Sequence, residues 1–146
     1  MAKLFPEIID IDDAMRCSRF GRLAALAFAG LAVLGGVLGL IIKDGRTGIS
    51  TDEDKILLLV IVGVEILVAL IAAWRFHHNR GLIAGSVLML VFLVEFIGKF
   101  FIGFPGVLGI ILHLFIAAGI VNGIRGAIAM RNTDTLDTEA LAREFE

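Results

Sequence analysis

The chain has 146 residues, 58% of them hydrophobic, and a mean hydropathy of +0.94. A soluble domain is about 45–50% apolar, and the excess here lies in long runs, which excludes an ordinary soluble domain and indicates a membrane protein. The net charge of −2, without a long Lys/Arg tract, gives no electrostatic basis for binding nucleic acid. Cys17 is the single cysteine, which excludes an intramolecular disulfide and a cysteine metal cluster.

Four apolar runs are long enough to cross a membrane, because ~20 helical residues span a ~30 Å hydrocarbon core. The predicted spans are residues 23–42, 56–74, 81–98 and 105–124. They predict an all-α fold, with residues 1–146 forming one polytopic membrane domain. The expected architecture is an integral membrane four-helix bundle, antiparallel and up-down-up-down, with the lipid bilayer as its first partner.

Residues 1–20 mix apolar side chains with acids and arginines, which predicts an interfacial N-terminal segment with its arginines at the lipid headgroups. Asp12 or Asp13 would cap a helix start by accepting from free N–H groups. That helix would run on into the first span. A frayed tail up to about Asp12 is the alternative.

Small residues recur along one face of the first span, at steps of four and three residues. This face consists of Ala25, Ala29, Ala32, Gly36 and Gly39. Gly35 and Gly39 form a second, overlapping pair. Because small residues let another helix backbone come close, the pattern predicts helix packing. The partner helix is either internal or in another subunit.

Between the first two spans, Ser50 and Glu53 fit a capping box, which predicts that the second helix starts at about Thr51. Glu65 is the intramembrane carboxylate of this helix, and it lies on a face of small residues, the side expected to pack on other helices. Trp74 ends the span, where an indole favours the membrane interface.

The link 75–80 is too short for a domain, so the second and third spans are expected to form a tight hairpin. Within it, His77 and His78 are adjacent and point to different sides of a helix, which argues against a metal site. In the third span, Glu95 and Lys99 are spaced i, i+4 with the glutamate first, the favoured order for an ion pair.

Pro105 is well placed to start the fourth span, which carries one histidine, His113. Further along this span, Gly119 and Gly123 are separated by three residues. That spacing predicts a second close-packing face, because both glycines lie on one side of the helix.

The sequence VNGIRGA, residues 121–127, resembles the end of the last helix in small four-span bacterial membrane proteins, where an aromatic–Asn/Gln–Gly–hydrophobic–Arg–Gly stretch closes that helix. The resemblance implies the four-span layout and no particular activity. Arg125 is expected at the membrane interface and Arg131 at the helix end. Residues 132–146 form a polar tail, in which 138–145 could make a short helix.

Nine lysines and arginines flank the spans on the side of the termini and the 75–80 link, against four on the other side. The side with more Lys and Arg belongs in the cytoplasm. The chain is therefore predicted to be a multi-pass protein of the inner (plasma) membrane with both termini and the tail cytoplasmic.

Four ionisable side chains lie within the predicted membrane, namely Glu65, Glu95, Lys99 and His113. At ~1.5 Å per residue all four fall in the outer half, where they could converge. One hypothesis is that these groups hold the helices together by hydrogen bonds to one another, with a protonated Glu65 donating to His113 or a backbone carbonyl. The other is a proton or cation pathway with Glu95 and Lys99 at its mouth. The inner half offers only Ser86 and Asn122 as polar lining for a pathway, which favours the hypothesis that these groups hold the helices together.

The sequence contains no recognisable set of catalytic residues, since there is no Ser/His/Asp set, acidic metal cluster or phosphate loop. Haem would need a second histidine facing His113. The predicted protein is non-enzymatic, with no cofactor and no metal. It would act as an accessory, assembly or stabilising subunit, or as a homo-oligomer, with membrane subunits or its own copies as partners. The alternative is proton- or cation-linked transport using Glu65, Glu95 and His113.

Overall fold

A computed structural model describes residues 5, 8, 11–41, 51–102 and 106–144, with side chains as far as residue 132 except at position 102. Over these ranges the chain is helical except at residues 5, 8, 51 and 78–81, and it contains no strand. The helices are α1 (Ile11–Ile41), α2 (Asp52–His77), α3 (Leu82–Ile102) and α4 (Gly106–Glu144). Each is long and apolar enough to cross a membrane. The all-α fold is thereby confirmed, and the four long apolar helices are compatible with a small multi-pass membrane protein.

The start of α2 has the predicted kind of cap, one residue later in the chain. The Thr51 hydroxyl accepts from the Asp54 N–H at 3.2 Å, and the Asp54 carboxylate accepts from the Thr51 N–H at 2.9 Å. The predicted pair, Ser50 and Glu53, has the same spacing but is wrong, because the first helical residue is Asp52 and Thr51 therefore stands at the N-cap. Ser50 itself lies outside the described residues.

The end of α4 differs more from the prediction. The helix continues to Glu144, so the predicted end at Arg131 and a separate short helix over 138–145 are wrong. Residues 132–144 contain neither glycine nor proline. Extending an existing helix adds one hydrogen bond per residue without the cost of a new nucleus, which explains the continuation.

The core of the bundle begins with backbone contact between α1 and α4. A Cβ built on Gly21 would lie 2.5 Å from the Cα of Gly123, and one built on Gly126 would lie 2.6 Å from the carbonyl oxygen of Ala14. Ala14 and Cys17 are accordingly buried, although both precede the first apolar run. Residues 11–22 are thus the first turns of α1, and the interfacial position of segment 1–20 stays a prediction.

Phe76 is the centre of the tightly packed part of the bundle. Its side chain is 1% exposed, and its ring atoms come within 3.2 Å of the positions that Cβ atoms on four glycines would take. Gly21 is in α1, Gly81 directly precedes α3, Gly85 is in α3 and Gly123 is in α4. The hydroxyl of Ser18 on α1 donates to the carbonyl oxygen of Phe76 at 2.6 Å. One aromatic ring therefore joins all four helices, and we call this region the tight half.

Packing weakens along the helices away from Phe76. Gly21, Phe28 and Gly35 follow one another at steps of seven residues, so they share a face of α1. The first two are buried, whereas Gly35 is exposed and no described atom lies within 4 Å of its would-be Cβ. On α2, Ala72 is fully buried, but Glu65, seven residues earlier on the same face, is half-buried. We call the region of Gly35, Glu65 and His113 the open half.

Candidate functional site

The open half holds a chain of polar contacts that links α3 to α4. The Lys99 ammonium Nζ lies 2.5 Å from the Glu95 carboxylate Oε1 and 3.1 Å from His113 Nε2. The first contact is the i, i+4 ion pair expected from the sequence. The second joins two helices and fixes the positions of Lys99 and His113 relative to each other.

The contacts of His113 assign its tautomer. Its Nδ1 lies 2.6 Å from the carbonyl oxygen of Gly109, which can only accept, so Nδ1 carries the proton. The ammonium of Lys99 can only donate, so Nε2 accepts and the imidazole is neutral. Because both ring nitrogens are occupied, the predicted hydrogen bond from Glu65 to His113 is wrong.

Aromatic rings enclose the buried imidazole. The ring centroids of Phe92 and Phe96 lie 5.7 and 5.0 Å from that of His113. Phe28 meets Phe92 edge-on at 5.8 Å. These rings belong to an apolar layer between His113 and Phe76, completed by the buried side chains Leu88, Ile116 and Ile120. The layer separates the polar cluster from the tight half and keeps water away from that side.

Two carboxyl groups of the cluster have too few partners. Oε2 of Glu95 is buried and accepts no hydrogen bond from the described part of the chain. Glu65 on α2 is close enough to Glu95 and Lys99 to interact with both charges, and it too makes no hydrogen bond with a described residue. The Lys99 ammonium forms an ion pair with Glu95 and lies near Glu65 without pairing with it. An unsatisfied buried acceptor costs ~1–3 kcal/mol, and more when it is charged.

No protein-family model, curated protein or solved structure matches this chain. Within the described ranges, no three His, Cys, Asp or Glu side chains are grouped so that they could hold a metal ion.

The predicted packing residues are spread over both halves. Ala25, Ala29, Ala32 and Gly36 of α1 are buried, whereas Gly39 is only half-buried. Gly119 is half-buried against Ala24, and Gly123 is buried against Gly21. These contacts are made within the bundle, and association with other subunits through any of these residues stays a prediction.

The two predicted interfacial residues lie at the end of the bundle that holds Phe76. Trp74 is 59% exposed on α2. Arg125 is half-buried on α4, where its guanidinium donates to the Asn122 side-chain oxygen at 3.2 Å and lies 6.0 Å from the ring of Phe5. The structure gives their exposure and contacts, while their position at a membrane interface stays a prediction.

The residues that the sequence reasoning missed are Ser18, Gly21, Phe76, Gly85 and Gly126. A signal for two of them was present. Phe76 follows Ala72 by four residues and Gly21 precedes Ala25 by four, so both extend faces already assigned to packing. They were missed because Phe76 lies in the basic link and Gly21 among arginines, outside the apolar runs.

Proposed function

We propose that this chain is a non-enzymatic protein of the inner (plasma) membrane that works through helix association, as an accessory, assembly or stabilising subunit or as a homo-oligomer. The observation that carries this proposal is the incomplete packing of the open half. On α1, the face that is buried at Phe28 is exposed at Gly35. On α2, the face that is buried at Ala72 is only half-buried at Glu65.

A transmembrane helix of another subunit, or of a second copy, fits this region for two physical reasons. An exposed glycine such as Gly35 lets a partner backbone approach closely, which is how helices associate in lipid. An intramembrane carboxyl group costs ~2.5–3.5 kcal/mol on insertion scales, and a donor on the partner would offset that cost. Glu65, which is only half-buried, would accept from such a donor.

The finer architecture belongs to the same proposal. An antiparallel up-down-up-down order is supported by the contacts of α1 with α2, where Ser18 meets Phe76 and Gly36 meets Val62. Cytoplasmic termini are supported by the nine-to-four distribution of Lys and Arg. A bacterial alkaline-phosphatase fusion after Asp44 is expected to be active, and an inactive fusion would contradict this orientation.

The test of association compares two glycines of α1. In membrane nanodiscs we expect the wild-type native mass to exceed that of one chain, and Gly35→Leu to reduce it to the monomer. Gly30→Leu is the matched control, because Gly30 is equally open but lies about 140° around the helix from Gly35. A monomeric wild type, or equal effects of the two substitutions, would refute the proposal.

A second candidate, proton- or cation-linked transport, is favoured by the connected groups Glu95, Lys99 and His113 with Glu65 nearby. The apolar layer between His113 and Phe76 opposes it, because a route would have to open there. Transport predicts that Glu65→Gln abolishes flux in proteoliposomes and leaves the fold intact, while the exposed control Glu53→Gln keeps flux. Unchanged flux in Glu65→Gln, or none in the wild type, would eliminate this candidate.

A further inference from the structure

A cavity of about 380 Å³ lies where α1 meets the end of α2. It is lined by Met15, Arg19, Arg22, Phe76, His77 and Asn79. None of these residues is acidic, and two carry a permanent positive charge. The cavity is at the end of the bundle opposite to the Glu95–Lys99–His113 contacts, so the polar cluster of the open half does not account for it.

Hydrogen-bond donors are concentrated in this cavity. Arg22 Nη1 lies 3.2 Å from His77 Nδ1. A guanidinium can only donate, so Nδ1 accepts and the ring proton of His77 is on Nε2, where it is available to a ligand. Arg19 is exposed and forms no ion pair with any residue in the described ranges. Two guanidinium groups and one imidazole N–H therefore share one cavity, and no carboxylate is among its described lining residues.

The cavity lies level with the change from polar to apolar surface. Leu23, directly after Arg22, is 62% exposed and starts the apolar run of α1. Trp74, three residues before His77, is also largely exposed, and indole rings favour the level of the lipid headgroups. A ligand with an anionic head and apolar tails would place its head in the cavity and its tails beside Leu23.

We propose that this cavity binds the phosphate group of an anionic phospholipid. The guanidinium groups of Arg19 and Arg22 and the Nε2–H of His77 would donate to the phosphate oxygens. Arginine suits this role because its planar donor fork matches phosphate geometry. Basic pockets between transmembrane helices on the cytoplasmic side are a known way of recognising anionic lipid headgroups.

The test is native mass spectrometry of the full chain in mild detergent, titrated with phosphatidylglycerol or phosphatidylcholine. The wild type is expected to retain phosphatidylglycerol preferentially. Arg19→Gln should lower its affinity for this lipid about fivefold, the factor that one surface arginine contributes, and Arg19→Gln/Arg22→Gln about thirtyfold. Arg16→Gln is the matched control, since it removes the same charge from the same helix outside the cavity.

Arg22 contacts His77, so the single Arg19→Gln variant keeps the test valid if the double variant misfolds. Equal retention of the two lipids by the wild type would overturn the proposal. So would an equal loss in Arg16→Gln and Arg19→Gln, because that indicates a diffuse charge effect. Displacement of the lipid by soluble glycerol phosphate would show that the cavity takes free phosphates instead.

Discussion

The close approach of α1 and α4 at Gly21 and Gly123 can be tested by a substitution whose effect on stability is predictable. The proposed change is Gly21→Ala, which adds one methyl group. That carbon would lie 2.5 Å from the Gly123 Cα, about 0.9 Å short of the 3.4 Å at which ordinary van der Waals contact begins. The obstacle is a backbone atom, so a side-chain rotation cannot relieve the clash, and α1 and α4 must separate.

The expected loss of stability combines two opposing effects. Overpacking a well-packed core typically costs ~1–3 kcal/mol. Separating α1 from α4 would also loosen the ring of Phe76, which lies 3.2 Å from the same methyl position. Against this, alanine is better than glycine in a helix by up to ~1 kcal/mol. We therefore expect Gly21→Ala to lower the free energy of unfolding by about 1–2 kcal/mol.

Unfolding in mixed micelles, followed by far-UV circular dichroism and by the fluorescence of the single tryptophan, Trp74, measures this change. Gly30→Ala is the matched control, because it lies in the same helix and no described atom is within 4 Å of its would-be Cβ. Gly30→Ala should be neutral or slightly stabilising. If Gly21→Ala unfolds at the same detergent fraction as Gly30→Ala, the close approach of α1 and α4 is refuted.

Two further predictions use the same unfolding assay. Ser18→Ala removes the buried hydrogen bond to the Phe76 carbonyl and should cost ~1 kcal/mol, whereas Ser86→Ala, whose exposed hydroxyl bonds only within its own helix, should change little; equal effects would contradict the role of Ser18. Lys99→Met leaves the Glu95 carboxylate without its counter-ion and should cost about 1–3 kcal/mol, less than the ~3–5 kcal/mol for a fully buried pair, because Lys99 is partly exposed. The double variant Glu95→Gln/Lys99→Met should recover part of that loss, and a double variant as unstable as Lys99→Met alone would argue against the ion pair.

The spans were predictable because hydropathy acts locally. A run such as 56–74 must be helical in a membrane, whatever its neighbours, since its backbone groups have no other hydrogen-bond partners there. The Glu95–Lys99 pair was equally accessible, because residues four apart on a helix meet without any tertiary information. Both inferences needed only the chemistry of one segment.

The contacts between helices were not accessible in this way. Nothing in the sequence near His113 states that Lys99, fourteen residues earlier, occupies its Nε2, because that depends on the rotation of α3 against α4. The slot for Phe76 likewise combines glycines from separate helices, and each glycine alone indicates only a small residue. Such contacts depend on which helix faces pack against each other. A single sequence shows which faces can pack, but it does not show which face packs on which.

The unbroken course of α4 has a mechanical consequence. Its apolar sequence ends at Met130, whereas the helix ends at Glu144. At ~1.5 Å per residue, the remaining stretch of helix forms a rod that extends about 21 Å beyond the apolar sequence. A flexible tail would let its end sweep a wide volume, but a rod fixes height and direction. Anything attached near Glu144 is therefore held at a set distance from the apolar part of the bundle and turns with the α4 backbone.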